Sequence, residues 1–324
     1  MDIVSFIIPA YNSELTINKC VLSVCNQKPN NWEIVIIDDG SVDNTSAICK
    51  KYTLADKRIK YFYQTNSGPG AARNYGIINS TGKYLVFLDS DDYISSNFLI
   101  TLNNEIEKTS PDIVFYNIIR ESQTGKKISI CNTYYFSKFN KKELLKNQIS
   151  GSLEWGMNKV IKKDVIINNK CFFENLNVAE EALFSLKVLK NSNKIVFINQ
   201  KLYHYVNIPS GQHTKGNNDP WFCLCKIMKK YLIESKEYEE YKLSLNGLIV
   251  RSLNISIYRL SSNTFFEFKK NVKTKMANYK IEFGTFDKLE NVDKKTRLIS
   301  FLLKIKFFLI IYLLCKIRNK MVKK

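Results

Sequence analysis

Four short apolar runs, "VSFIIP", "EIVIID", "RIKYFY" and "KYLVFLD", recur between residues 4 and 89 with helical patterns between them. Runs this continuous, rich in Val, Ile and aromatic residues, do not alternate polar with apolar. Both faces of such strands must therefore be covered, which is the situation of a mainly parallel sheet with helices on each side. Helices are expected near Leu15 to Asn26, Asn44 to Tyr52 and Pro69 to Asn79. The fold class is α/β. Polar residues collect where the strands stop: Tyr11 and Asn12 after the first, Asp38 and Asp39 after the second, and Asp89 to Asp92 after the fourth. In open α/β sheets that edge is where ligands bind.

Asp89, Asp91 and Asp92 set three carboxylates within four positions, and like charges so close repel unless a cation sits among them. Asp89-Ser90-Asp91 places two oxygen ligands at a strand end. Hard divalent cations such as Mg²⁺ or Mn²⁺ suit such a pair, completing their shell from water or phosphate. On the residues alone, a turn with capping aspartates ahead of "ISSNFL" accounts for the same pattern, and the two readings stay open.

Four linked motifs, "SFIIPAYNSE", "IVIIDDGSVDNT", "NSGPGAARNYGI" and "YLVFLDSDDYI", resemble in order and spacing the nucleotide-binding half of the family-2 glycosyltransferases with the GT-A fold. The resemblance is strong over about the first 100 residues and thins towards Ser210. It implies a Rossmann-like, mainly parallel sheet with helices on both faces, followed here by a helical, basic C-terminal region. It also implies a divalent cation, Mn²⁺ or Mg²⁺, held by Asp89 and Asp91 against the diphosphate of a nucleotide sugar, with Ser90 beside it. Pro9, Tyr11 and Asn12 would wall the base and ribose. One of Asp38 and Asp39 would accept from the base, which favours a uridine nucleotide and hence a UDP-sugar. Arg73 and Asn74 would donate to ribose or phosphate. "VAEEALF" aligns with the acidic pair that supplies the catalytic base; Glu181 takes that role, with Glu180 as the alternative. Glu181 stands where the family commonly has Asp, a methylene shorter. Asn158 and Lys159 fall near the acceptor or phosphates. Of the two histidines, His213 is a candidate metal ligand and His204 a structural residue.

The implied activity is an inverting, hexosyltransferase-type transfer to a lipid-linked or polymeric glycan acceptor in cell-surface polysaccharide synthesis. The alternative is an inactive scaffold that binds nucleotide sugar at the membrane. The formal charge of +19 predicts an anionic partner. Nucleic acid is not expected, because no helix-turn-helix, zinc or aromatic-basic RNA motif accompanies the charge. A sugar nucleotidyltransferase would open on a glycine-rich phosphate loop, and "PAYNSE" stands there instead. Eight cysteines without C-x-x-C spacing read as reduced core thiols, and the N-terminus lacks a basic leader, so a cytoplasmic protein is expected.

Residues 1–219 are expected to form the catalytic domain, split into a nucleotide-binding half, 1–110, and an acceptor-side half, 111–219. Residues 220–324 form the helical basic region. Its last 28 residues, from Arg297, carry eight basic and no acidic residues around apolar runs too short to span a bilayer. A single helix over 297–318 is expected to lie on the anionic inner face of the plasma membrane, or to pack on another copy of the chain.

Overall fold

The computed structural model describes residues 1–322 apart from 154–155, 175–179, 208–218, 261–263, 284–288 and 291, with backbone alone for 281 and 318–322. In chain order the elements are β1 (Val4–Ala10), α1 (Ile17–Cys25), β2 (Trp32–Asp38), α2 (Thr45–Ala55), β3 (Ile59–Tyr63), α3 (Pro69–Asn79), β4 (Tyr84–Phe87), β5 (Tyr93–Ile94) and α4 (Phe98–Thr109). There follow β6 (Ile113–Ser122), β7 (Lys127–Cys131), a 3-10 helix (Thr133–Lys138), α5 (Lys141–Ile149), β8 (Lys159–Lys162), α6 (Lys163–Asn168), α7 (Glu180–Lys190) and β9 (Ile195–Asn207). The last helices are α8 (Pro220–Glu234), α9 (Tyr238–Tyr258), α10 (Phe265–Phe283), α11 (Lys294–Lys304) and α12 (Phe308–Val322). Two compact units result: Met1–Asn140 with Glu154–Gly211, and Lys141–Leu153 with Gln212–Lys324. Helix α5 thus groups with the C-terminal helices.

The first unit is one sheet in the order β3-β2-β1-β4-β8-β6-β9-β5, with β7 added on β6. Strands β3, β2, β1 and β4 run parallel, as their unbroken apolar sequences require; β8 lies antiparallel between β4 and β6, and β6 pairs parallel with β9. Val4, Phe6, Ile7, Ile8, Ile34 and Ile36 are fully buried. The runs "KIVFIN" and "KLYHYV" both fall in one strand, β9, whose pairing with β6 shifts register between Tyr116 and Asn117 and again between Asn117 and Ile118.

Glycine lets α3 lie close to the sheet: a Cβ on Gly76 would stand 2.4 Å from Ile7 Cγ2. At the edge opposite the strand ends, Glu33 is buried. Its carboxylate accepts from Ser5 Oγ (2.5 Å), from Thr81 N (2.5 Å) and Oγ1 (2.9 Å), and from Lys60 Nζ (2.7 Å). This one side chain joins β1, β2, β3 and the turn entering β4.

The second unit is helical. Asp219 caps α8 through Trp221 N and Phe222 N, and also holds Lys275 Nζ at 2.8 Å and Ser256 Oγ at 2.7 Å. Helix α9 is buried along most of its length. The segment expected as a single helix over 297–318 is two. Lys306 adopts φ +60°, and Phe307 N returns to Leu302 O at 2.9 Å while Lys306 N reaches Leu303 O at 3.1 Å. That is the left-handed cap which closes a helix, formed here by lysine where glycine is usual. No described helix is long and apolar enough to cross a membrane.

Candidate active site

All the polar strand ends noted in the sequence fall on the C-terminal edge of β1, β2 and β4, and each is held by a different device. After β1, Asn12 takes φ +48°; its N donates to Ser41 Oγ at 3.0 Å and its Oδ1 accepts from Val42 N at 3.0 Å. The loops leaving β1 and β2 are thereby fastened together, with Tyr11 exposed and Pro9 half-buried beside them. Of the acidic pair, Asp38 is wholly enclosed, accepting from Ser41 N (2.9 Å) and Tyr61 OH (2.7 Å). Asp39 accepts from Gln64 Nε2 (2.7 Å), Ser67 N (2.8 Å) and Gly68 N (2.9 Å). Both carboxylates are buried, Asp38 at 0% and Asp39 at 4% exposure; a carboxylate has about four acceptor positions, so Asp39, with three filled, keeps one. Gly68 has φ +89°, the conformation that turns its N–H onto Asp39 and starts α3.

Arg73 on α3 is the centre of the site. Its side chain is 4% exposed, and its Nη2 donates to Asp89 Oδ1 at 2.8 Å; Nη1 lies 3.4 Å from Glu180 Oε1 and 3.5 Å from Glu181 Oε1. One guanidinium therefore joins the end of β4 to the first turn of α7. Burial alone would disfavour its charge, but Asp89, Glu181 and Glu180 outweigh burial and raise its pKa above the ordinary arginine value. Arg73 Nε is buried without a partner. Gly70, one turn earlier, permits this approach: a Cβ there would lie 3.3 Å from Glu180 Cγ and 3.4 Å from Phe173 Cβ.

The two glutamates differ in access. Glu180 has a side chain 9% exposed, and burial and then the Glu181 charge push its pKa up, against the pull of Arg73. Glu181 is 31% exposed and lines a small cavity with Phe87, Met157, Lys159, Phe173 and Phe184. Under it, Phe173 and Phe184 stack at 3.9 Å, and Phe87 meets both edge-on at 5.3 and 5.5 Å. Lys159 is buried and donates to Gly156 O at 2.6 Å. Asn158 is also buried, with neither side-chain amide atom hydrogen-bonded.

Asp89, Ser90 and Asp91 are half-buried, and Ser90 Oγ pairs with Ser13 Oγ at 2.7 Å. Asp92, quoted in the motif but given no role from sequence, is buried; it accepts from Tyr203 OH (2.6 Å) and Val206 N (2.8 Å). Tyr203 OH also accepts from Asp89 N at 3.3 Å, so β9 fixes the acidic loop at two points. Burial, then Asp89 and Asp91, push the Asp92 carboxyl well above its usual pKa. Burial first, then Asp92 and Asp89, raise Tyr203 well above its usual pKa, and burial, then Asp92, Asp91 and Asp89, raise Tyr205. Negative charge accumulates here beyond what Arg73 offsets, and its donors are hard oxygens, the chemistry of a divalent-cation site. Among the described residues, no three His, Cys, Asp or Glu side chains group to hold a metal by themselves.

Asn74 does not join the cluster. Its Nδ2 donates to Phe173 O at 2.7 Å and its Oδ1 accepts from Phe173 N at 2.9 Å, a clamp that fastens the Phe173 backbone onto α3. His204 stacks on Tyr93 at 4.3 Å and bonds Ser95 Oγ at 3.0 Å, a structural residue as expected. His213 lies outside the described residues. Asp92 and Tyr203 were missed because their partnership spans 111 positions; the only local signal was the third acid of "DSDD".

A sheet of this order, with its acids gathered at one edge, defines a GT-A type fold, and solved structures agree. Staphylococcus aureus TarS 1-349 superposes with a TM-score of 0.66 at 21% identity, covering 87% of this chain and 80% of that one. The same protein in complex with UDP-GlcNAc gives 0.63 at 19% identity. The chain belongs to glycosyl transferase family 2, whose profile matches residues 5–168. It is 31% identical over 227 residues to the glycosyltransferase GlyA of Streptococcus pneumoniae serotype 4, a match covering 68% of this chain and 32% of that protein. It is 29% identical over 287 residues to the putative glycosyltransferase EpsH of Bacillus subtilis, covering 83% of this chain and 81% of EpsH.

Proposed function

We propose that the protein transfers a hexose from a nucleotide sugar, favouring a UDP-sugar, to a lipid-linked or polymeric glycan acceptor with inversion, in cell-surface polysaccharide synthesis. The convergence of Asp89, Glu180 and Glu181 on Arg73 carries this reading, because it sets a phosphate-side carboxylate and a candidate base in one network. Tyr11 and the remaining acceptor position of Asp39 receive the base; a uracil ring N–H is a fitting donor. TarS, crystallised with UDP-GlcNAc, supports the uridine choice.

Asp89 and Asp91 would hold a divalent cation, Mn²⁺ or Mg²⁺, which would supply positive charge to offset that of a diphosphate. The residues do the rest. Glu181, the more exposed of the pair, takes the proton from the acceptor hydroxyl as the new bond forms at the anomeric carbon and the bond to the diphosphate oxygen breaks. Arg73 orients Glu181, and buried Glu180 steadies Arg73. The Phe87, Phe173 and Phe184 cluster excludes water behind the base.

The test is thermal stability against nucleoside diphosphates with and without Mn²⁺, since ligand bound to the folded state must raise the midpoint. The expected result is a UDP shift that needs Mn²⁺ and disappears in Asp91→Ala. No shift by any nucleotide refutes the reading, and a shift without turnover on UDP-sugars identifies a binding scaffold instead. The enzyme works at the inner face of the plasma membrane, supported by Leu298, Phe301, Phe307, Leu309 and Leu313, which α11, α12 and their junction expose beside Lys304 and Lys306. Co-sedimentation with anionic but not neutral vesicles is the expected outcome, and equal recovery with both would remove this assignment.

A further inference from the structure

Sugar acceptors present apolar C–H faces, and an exposed aromatic ring is the side chain that matches them while tolerating the hydroxyls around the rim. The 3-10 helix Thr133–Lys138 carries two such rings, Tyr134 (40% exposed) and Tyr135 (54% exposed). Tyr135 meets Phe136 and Phe139 edge-on at 5.3 and 5.6 Å, and both tyrosines still present ring surface to solvent. Phe136, between Tyr135 and Ser137, is the aromatic that this turn buries, and it anchors the helix against Phe139.

Strand register shows where these rings stand. Val86 of β4 pairs with Val160 of β8, and Val160 with Val114 of β6, so Tyr116 and Asn117, in the middle of β6, are level with the Asp89 end of β4. Two strand spacings separate them, about 10 Å. The turn is tied to that level: Thr133 Oγ1 donates to Tyr116 O at 2.8 Å, and Tyr134 N donates to Asn117 Oδ1 at 3.2 Å. Tyr116 in turn touches both halves of the site. Its OH donates to Met157 O at 2.6 Å, and Met157 lines the cavity of Glu181; its ring stacks at 6.5 Å on Tyr203, which holds Asp92. Lys138 Nζ sits over one face of the Tyr135 ring, 4.2 Å from its centroid, so a sugar at Tyr135 would stack on the opposite face.

We infer that Tyr134 and Tyr135 form an acceptor subsite that stacks a sugar ring of the acceptor glycan, one or two rings away from the hydroxyl that reacts at Glu181. The inference rests on the glycosyl-transfer reading and adds to it a binding surface distinct from the nucleotide pocket. It makes the preferred acceptor an oligosaccharide or a lipid-linked chain of more than one sugar, because a monosaccharide at Glu181 does not reach the platform.

Saturation-transfer NMR on the full chain, in the presence of UDP and Mn²⁺, tests it with three probes: triacetylchitotriose, cellotriose and a galactotriose. At least one trisaccharide is expected to bind the wild type with contacts from ring C–H protons. That binding should weaken about tenfold or more in Tyr134→Ala/Tyr135→Ala and persist in Tyr134→Phe/Tyr135→Phe, because the face and not the hydroxyl is used. The UDP thermal shift serves as the control for folding and for the donor site, and stays unchanged in both variants. Unchanged trisaccharide binding in the double alanine variant overturns the subsite, as does failure of all three probes on a wild type that retains its UDP shift. Loss of the UDP shift in the wild type itself would instead condemn the glycosyl-transfer reading.

Discussion

Glu33 gives the most closely determined expectation. Burial would raise its pKa, but the Lys60 ammonium, with Ser5 and Thr81 donating to the carboxylate, outweighs burial and lowers it to about 2 from an ordinary 4.5. A group depressed in the folded state stabilises fully above its unfolded pKa and loses that contribution as pH falls toward the folded value. That lowering is worth about 3 kcal/mol at pH 7. By linkage about 2 kcal/mol of this is gone by pH 3. Urea midpoints of the wild type and Glu33→Gln, measured from pH 7 to pH 3, should therefore differ most at neutral pH and converge on acidification. The variant also leaves Thr81 N–H facing an amide, so its neutral-pH loss should reach about 3 kcal/mol or slightly more. Parallel curves over the whole range would show that Glu33 is not the group whose ionisation the network holds, and the reasoning would fail.

Three further expectations concern the site. Glu181→Gln should lower kcat by about 10²–10⁴ while UDP still raises the melting midpoint, whereas Glu180→Gln should cost less in kcat; steady-state kinetics on a UDP-sugar decides. Tyr203→Phe removes the donor to buried Asp92 and should cost about 1–3 kcal/mol in urea denaturation. The same variant should raise the Mn²⁺ concentration needed for half of the UDP shift, since the Tyr203 hydroxyl no longer ties Asp89 N and Asp92 to β9. Gly70→Ala presses on Glu180 and Phe173 and should depress kcat with a stability change of about 1 kcal/mol, read by pairing kinetics with denaturation.

What the sequence made legible was set by local chemistry. Parallel strands covered on both faces need continuous apolar runs, so β1, β2, β3 and β4 announced themselves, and Gly68-Pro69 with Ser80 bounded α3. The acids at strand ends were visible for the same reason, since nothing else interrupts those runs. Roles that depend on distant partners were hidden. Arg73 and Asn74 are adjacent donors on one helix, yet Arg73 closes on three carboxylates while Asn74 is spent on the backbone of Phe173, 99 positions away. Asp92 became a structural acceptor only when β9 delivered Tyr203. The break at Lys306 left no trace in composition, because a lysine occupies the left-handed position that glycine would have flagged. Helix α5 reads like any helix of the first unit; only its packing assigns it to the second.

Strand β2 has Glu33 near one end and Asp38 at the other, five residues and about 17 Å apart. Among the described residues the two ends share no hydrogen-bond partner: one set of contacts clasps the strand starts, and the other arranges the loops at the candidate site. Effects at sites so far apart add with little cross-term. A variant library of this protein should therefore separate into two nearly independent axes, with tolerance to heat or acid adjustable at one edge and donor or acceptor choice selectable at the other. A damaging change at the catalytic edge can then be carried by a strengthened opposite edge without touching the chemistry, which makes this sheet a forgiving starting point for redirecting specificity.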